Sequence, residues 1–159
     1  MVLVAAASLG LFLVLYFLLI RVTAVSEAIT SVTARVTGVA LAGVGAGVTV
    51  KGPVLQMGSL QFVVIPDCTP LGPIMLLTGA ILAFPAPVGS KLIGILLGAL
   101  LLSSLNLLRV INLVYVARLA PQWLDMAHLV IWQSVMILAG IVFWMVWISW
   151  VGKTSRAAS

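Results

Sequence analysis

The sequence predicts an all-α integral membrane protein: a four-helix transmembrane bundle with an amphipathic helix and a small extramembrane β-hairpin. Three observations carry this expectation. Hydrophobic residues make up 64% of the 159-residue chain and charged residues 7%, whereas a soluble domain carries roughly 25% charged residues. The mean hydropathy is +1.33. Apolar runs near the ~20 residues needed to cross a bilayer recur along the chain. Eight Lys and Arg with three Asp and Glu cannot cover a water-facing surface, which excludes a soluble enzyme, a disordered tail and a secreted disulfide scaffold. A net charge of +5 would suggest nucleic acid in a soluble chain. Here the cations are scattered singly and read as membrane-interface anchors, so the lipid bilayer is the expected partner and nucleic acid is not. The single cysteine cannot form an internal disulfide.

The whole chain, 1–159, reads as one membrane domain. The first span covers about 2–20 and is closed by Arg21. Ala24-Val25-Ser26 has the small-x-small look of a signal-peptidase site, but the N-terminus lacks a basic n-region, so the segment is expected to be a retained anchor. Residues 22–67 form an extramembrane cap. It opens with Val25, Ile29, Val32, Val36 and Val39 at helical spacing, with Ser, Thr, Glu27 and Arg35 between them. That pattern predicts an amphipathic helix at an interface or continuing the first span. After the glycines at 43, 45 and 47 come β-branched runs, Val48 to Lys51, Val54 to Met57 and Leu60 to Ile65, with turn signals at Gly52-Pro53 and Gly58-Ser59. Gly58-Ser59 predicts a hairpin turn, and open hairpin edges are not tolerated in lipid.

The second span covers about 69–84 and is stopped by Pro85-Ala86-Pro87. The third covers about 91–116 and the fourth about 124–150, with Trp144, Trp147 and Trp150 gathered at its end as an aromatic belt. Four spans place both termini on one side, and the 21–67 segment and the 117–123 loop on the other.

Depth singles out three side chains. Cys68 lies roughly 17 residues from Pro85, about 26 Å along a helix; Arg109 lies roughly 18 residues from Lys91, about 27 Å; His128 lies roughly 22 residues from Trp150, about 33 Å. All three distances start from one membrane face, so the only Cys, the only His and the most embedded Arg come to similar depth on three helices. Each has an ordinary structural role when taken singly. Cys68 suits apolar packing, Arg109 can snorkel to the interface, and His128 can pair with Asp125 one turn back. Together they suggest nucleophilic acyl transfer. A thiolate attacks a carbonyl, an imidazole sets its protonation, and a guanidinium lowers the thiol pKa and donates to the developing oxyanion. Ser103, Asn106, Arg109 and Asn112 recur every third residue on the third helix, a polar stripe expected to face the bundle or a wet cleft. A metal site is disfavoured, because one Cys and one His give two ligands and Asp67 and Asp125 sit at the edge of water. Gly43-Val44-Gly45-Ala46-Gly47 lacks the Lys and Ser/Thr of a phosphate loop, and no cofactor is expected.

Cys68 opening a span after a hairpin, Asn106-Leu107-Leu108-Arg109 late in the next, and His128 starting the last resemble the exosortase/archaeosortase family of membrane cysteine transpeptidases. The likeness covers about residues 40–150, and the short chain is most similar to the exosortase H branch. By position, the resemblance implies Cys68 as nucleophile, Arg109 as stabiliser of the transition state or thiolate, His128 as base or acid, and Asn106 as an orienting residue. Asp125 is a supporting candidate beside His128. Where the family often has Ser-Gly after the cysteine, this chain has Thr69-Pro70, with Gly72 later.

The resemblance further implies that the substrates are exported proteins with a C-terminal tail of short motif, hydrophobic helix and basic cluster, held as a thioester and passed to a glycan or lipid acceptor. It places the chain in a bacterial or archaeal cytoplasmic (inner) membrane with the site on the extracytoplasmic side. The cations point weakly the other way: Lys91, Lys153 and Arg156 lie on the tail side, and Arg21, Arg35, Lys51 and Arg118 on the site side. Two rival classes stay open. One is a purely hydrolytic membrane cysteine protease; the other is a non-enzymatic membrane scaffold or small transporter.

Overall fold

The computed structural model describes residues 21–157 and, before them, positions 10, 11, 14, 15 and 18, all helical. Apart from those positions, the expected span over 2–20 lies outside the described residues. The remaining elements are four helices, a three-stranded sheet and short tight-turn segments.

Helix α1 spans Thr23–Gly43. Its buried face is Thr30, Ala34, Thr37, Gly38 and Leu41, whereas Val32, Val36 and Val39 point outward, Val39 with 76% of its surface exposed. The apolar positions of the amphipathic pattern are thus the outward ones. Small and hydroxyl-bearing residues let a helix approach its protein neighbours closely, while branched apolar side chains are at no disadvantage facing lipid. Thr30 and Thr33 bond back to the carbonyls of Ser26 and Ile29 at 2.8 and 2.9 Å, so their hydroxyls do not go unsatisfied.

The sheet is an antiparallel meander of β1 (Val48–Lys51), β2 (Val54–Met57) and β3 (Leu60–Val63). Two-residue loops join the strands, Lys51 facing Val54 and Met57 facing Leu60. Each loop begins with a glycine at positive φ, +58° at Gly52 and +62° at Gly58, as two-residue hairpins require. The Gly58-Ser59 turn forms where the sequence predicts a hairpin; the Gly52-Pro53 turn adds a third strand. Leu55 and Met57 pack with Val48, Val50 and Phe62 against Ala34 and Leu41 of α1 and Val110 and Val114 of a later helix.

A 3-10 turn, Pro66–Cys68, leads from β3 into α2, Leu71–Ala83. At 13 residues, α2 is about 20 Å long, shorter than the expected span. It stops before Pro85-Ala86-Pro87, and the Lys91 ammonium donates to the Leu82 carbonyl at 2.8 Å, satisfying a helix-end acceptor with a cation. Helix α3 is a single rod from Val88 to Leu119. After a 3-10 turn at Pro121–Trp123 comes a π-helical stretch, Met126–Ile131, and then α4, Trp132–Ala157. The expected tail after Trp150 is therefore helical as far as residue 157. Val88–Leu119 and the run Pro121–Lys153 are long and apolar enough to cross a membrane.

A second core joins α2, α3 and α4 through Leu77, Ile81, Leu102, Met136, Trp147 and Val151. Trp147 is not a belt residue. It is buried, its indole N–H donates to the Ser90 carbonyl at 3.0 Å, and its ring meets Phe84 edge-on at 5.8 Å. Glycines at 94 and 98 make room: a Cβ at Gly94 would strike the Trp147 indole, and one at Gly98 would strike Leu77 and Phe143. Gly94→Ala should therefore lower unfolding stability in detergent by about 1–3 kcal/mol, the usual effect of overpacking. Val39→Ala on the outward face should change it by less than about 0.5 kcal/mol. Denaturant titration of the purified protein compares the two.

Candidate active site

Cys68 sits at the end of the 3-10 turn because β3 delivers the chain to Pro66, which fixes φ at the first turn position. The Cys68 N–H donates to the Ile65 carbonyl at 2.8 Å and the Thr69 N–H to the Pro66 carbonyl at 3.0 Å. The Thr69 hydroxyl donates to the same Pro66 carbonyl at 2.7 Å. Pro70 has no N–H. The backbone donors around the thiol are thus either engaged or missing.

Asn106 and Arg109 lie one turn apart on the site-facing side of α3, each 2% exposed. The Asn106 amide donates to the Cys68 carbonyl at 2.8 Å, tying the turn to α3. Arg109 donates through Nη2 to the His128 carbonyl at 3.5 Å, a long contact. Its Nε and the Asn106 Oδ1 are buried without a hydrogen-bond partner. His128 lies in the π-helical stretch, a geometry that recurs at functional sites because it turns side chains off the α-helical register. Its Nε2 lies 3.4 Å from the Cys68 Sγ. Residues 68, 106, 109 and 128 therefore converge from three elements.

The other polar candidates divide. Asp125 is exposed, and among the described contacts no hydrogen bond joins it to His128. Ser103 is exposed, and so is Asn112, which accepts from the Trp132 indole at 2.9 Å. The expected stripe winds off the site because a three-residue step falls short of a full 3.6-residue turn. The Asn112–Trp132 pair was not singled out as a pair from sequence; the clue is that each partner lies about one turn beyond a site residue. Among the described residues no three His, Cys, Asp or Glu side chains gather as a metal-binding group.

Cys68 is 2% exposed. Burial pushes its thiol up from the ordinary value, because a thiolate loses water's solvation. A backbone hydrogen bond with Ile65 and the charge of Arg109 pull it down but do not outweigh burial; Asp67 adds to the rise. Arg109 acts on the thiol in the direction the sequence suggests, and burial acts against it.

A family model described as Transmembrane exosortase (Exosortase_EpsH) matches residues 2–149. No curated protein and no solved structure matches the chain.

The upward shift has a sign that can be checked. The thiolate fraction of Cys68 at neutral pH should lie below that of an exposed thiol and grow as pH rises. Alkylation by iodoacetamide, followed by mass spectrometry, should accelerate steeply across the alkaline range. A rate already at its plateau near neutral pH would mark a stabilised thiolate instead.

Proposed function

The chain belongs to the transmembrane exosortase family, and from that premise we propose that it is a membrane cysteine transpeptidase. In this reading it cuts the C-terminal sorting tail of exported proteins and passes the upstream part to a glycan or lipid acceptor. The observation that carries the reading is the 3.4 Å approach of the Cys68 Sγ to the His128 Nε2. A nucleophile and a base, distant in sequence, stand within reach of one proton transfer.

The proposed steps follow from the site. As Sγ attacks the scissile carbonyl carbon, its proton moves to His128 Nε2. The oxygen of the tetrahedral adduct carries the developing charge. The backbone N–H groups of Cys68 and Thr69 are already engaged, so the donor for that oxygen is the Arg109 guanidinium, whose Nε has no internal partner. The C–N bond then breaks, His128 returns the proton to the leaving amine, and a thioester remains on Cys68. An acceptor hydroxyl or amine attacks that thioester, with His128 again taking the proton, and frees the thiol. Asn106 holds the Cys68 carbonyl and so orients the turn. The tail's hydrophobic helix, lying beside the spans, positions the motif at the site. The site is assigned to the extracytoplasmic face of a bacterial or archaeal cytoplasmic membrane, where exported substrates reach it.

Cleavage of a co-expressed tailed substrate in cells, with protein level as the folding control, tests the mechanism. Cys68→Ala should abolish cleavage while the protein stays folded, because Ala fills the small apolar site but forms no thioester. Arg109→Lys should lose about a hundredfold or more, since an ammonium does not reproduce the guanidinium fork. His128→Ala should lose roughly 10²–10⁴-fold and keep a trace. Normal cleavage by Cys68→Ala would remove the cysteine mechanism and put the scaffold or transporter reading first. Release of the product without an attached acceptor would indicate hydrolysis.

Topology is a separate test. Reporter fusions should show the C-terminal end in the cytoplasm and the loop at Lys51 outside. An extracytoplasmic C-terminal end would sink the assignment of the site to exported substrates.

A further inference from the structure

We infer that the hydrogen bond between Asn112 and Trp132 is a positioning device: it fixes the π-helical segment so that His128 stays in reach of Cys68. The inference rests on the reading of His128 as the base for the Cys68 thiol. Two rungs connect α3 to the segment that carries His128. The first is Arg109 Nη2 to the His128 carbonyl, long at 3.5 Å. The second lies about one turn further along both partners, where the Trp132 indole N–H donates to the Asn112 Oδ1 at 2.9 Å. The shorter rung is therefore outside the reactive cluster.

The placement of this rung is what gives it leverage. Trp132 is the first residue of α4, at the boundary where the π-helical stretch 126–131 returns to α-helix. A π-helical stretch is a departure from the commoner α register and persists where something holds it. Asn112 is anchored on α3, a rod unbroken from Val88 to Leu119 that also carries Asn106 and Arg109. Holding Trp132 to that rod sets the end of the π-helical segment relative to the residue that ties down Cys68. Asn112 is exposed, so the bond lies on the outer side of the helix pair; interhelical hydrogen bonds between apolar helices keep a modest but definite strength. The reacting distance depends on small shifts, since a displacement of about 1 Å can lower a positioned reaction by about a hundredfold.

The test reads the Cys68–His128 pair without any substrate. The full chain in lipid nanodiscs is alkylated with iodoacetamide across a pH series, as wild type, His128→Ala, Trp132→Phe, Asn112→Leu and the Trp132→Phe/Asn112→Leu double variant. Near neutral pH the protonated thiol reacts with help from the imidazole, so His128→Ala should be slow there and converge with wild type at strongly alkaline pH. Trp132→Phe keeps a ring and loses the N–H donor. It and Asn112→Leu should each fall about tenfold near neutral pH, a fraction of the full positioning effect, and converge with wild type when alkaline. The double variant, which leaves no unpaired polar group, should resemble the single variants. Unfolding midpoints accompany each measurement.

Wild-type pH profiles in both single variants, with His128→Ala slow, would overturn the positioning role and leave the reading of the site intact. A uniform change at every pH, or recovery of the wild-type profile in the double variant, would mark the bond as structural only and also overturn it. A wild-type profile in His128→Ala would remove both the base assignment and this inference.

Discussion

A guanidinium buried to 2% exposure between apolar helices is the constraint around which the rest is arranged. Such a charge is expensive in hydrocarbon and is kept where polar groups face it. Here they come from the segments that have to meet at the site: the His128 carbonyl from the π-helical stretch and the thiol turn, close enough for the Arg109 charge to act on Cys68. Asn106, one turn earlier, holds the Cys68 carbonyl. A single straight helix thus carries both the charge and the group that positions its target. Its other half is built differently. Gly94 and Gly98 let α2 and α4 close onto the rod through Leu77, Trp147 and Phe143, the small-residue contact typical of helices in lipid. Close packing fixes the bundle at one end of α3, and polar contacts gather the reactive groups at the other.

The two cores explain why the thiol is dry. Cys68 belongs to the cluster made by α1, the sheet and the end of α3, not to the cluster between α2, α3 and α4. Leu55 and Met57 of the sheet and Val110 and Val114 of α3 belong to the same buried cluster. Excluding water strengthens every electrostatic contact inside, and the same exclusion raises the thiol. Burial and the charge of Arg109 thus act on the thiol in opposite directions. In the proposed mechanism the proximity of His128 matters because of that opposition, not in addition to it.

Much of this was legible in the residues. Prolines at 85 and 87 mark the helix boundary and Gly58-Ser59 marks a turn, because backbone restrictions are local and do not wait for tertiary structure. The sense of α1 was not legible. A stripe of valines reads as a buried face in water and as an outward face in lipid, and periodicity is the same in both cases. Trp147 is hard to place from sequence for a related reason: its position near the end of a span suggests an interface, while the glycines that open a slot for it lie on another helix. Among the candidate residues, depth along each helix carries the grouping of 68, 109 and 128, yet depth says nothing about rotation. Asp125 and Ser103 are both exposed. The π-helical stretch has no composition cue in Met126–Ile131.

The departure after the cysteine gains a physical meaning from the turn. Thr69 commits both its N–H and its hydroxyl to the Pro66 carbonyl, at 3.0 and 2.7 Å, and Pro70 has no N–H to offer. A Ser-Gly pair would leave a more pliable turn with a free amide at the glycine position; Thr-Pro gives a stiff one that is poor in donors. A tetrahedral oxyanion formed at Cys68 would find little help from its own turn. In the proposed mechanism the donor comes from the neighbouring helix, where the guanidinium has an unpartnered Nε. Rigidity at Thr69-Pro70 also fixes where Sγ points, so the geometry a flexible loop would have to find on binding is built in beforehand. In the proposed mechanism, then, the residues following Cys68 shape the turn, and the chemistry they do not supply falls to Arg109.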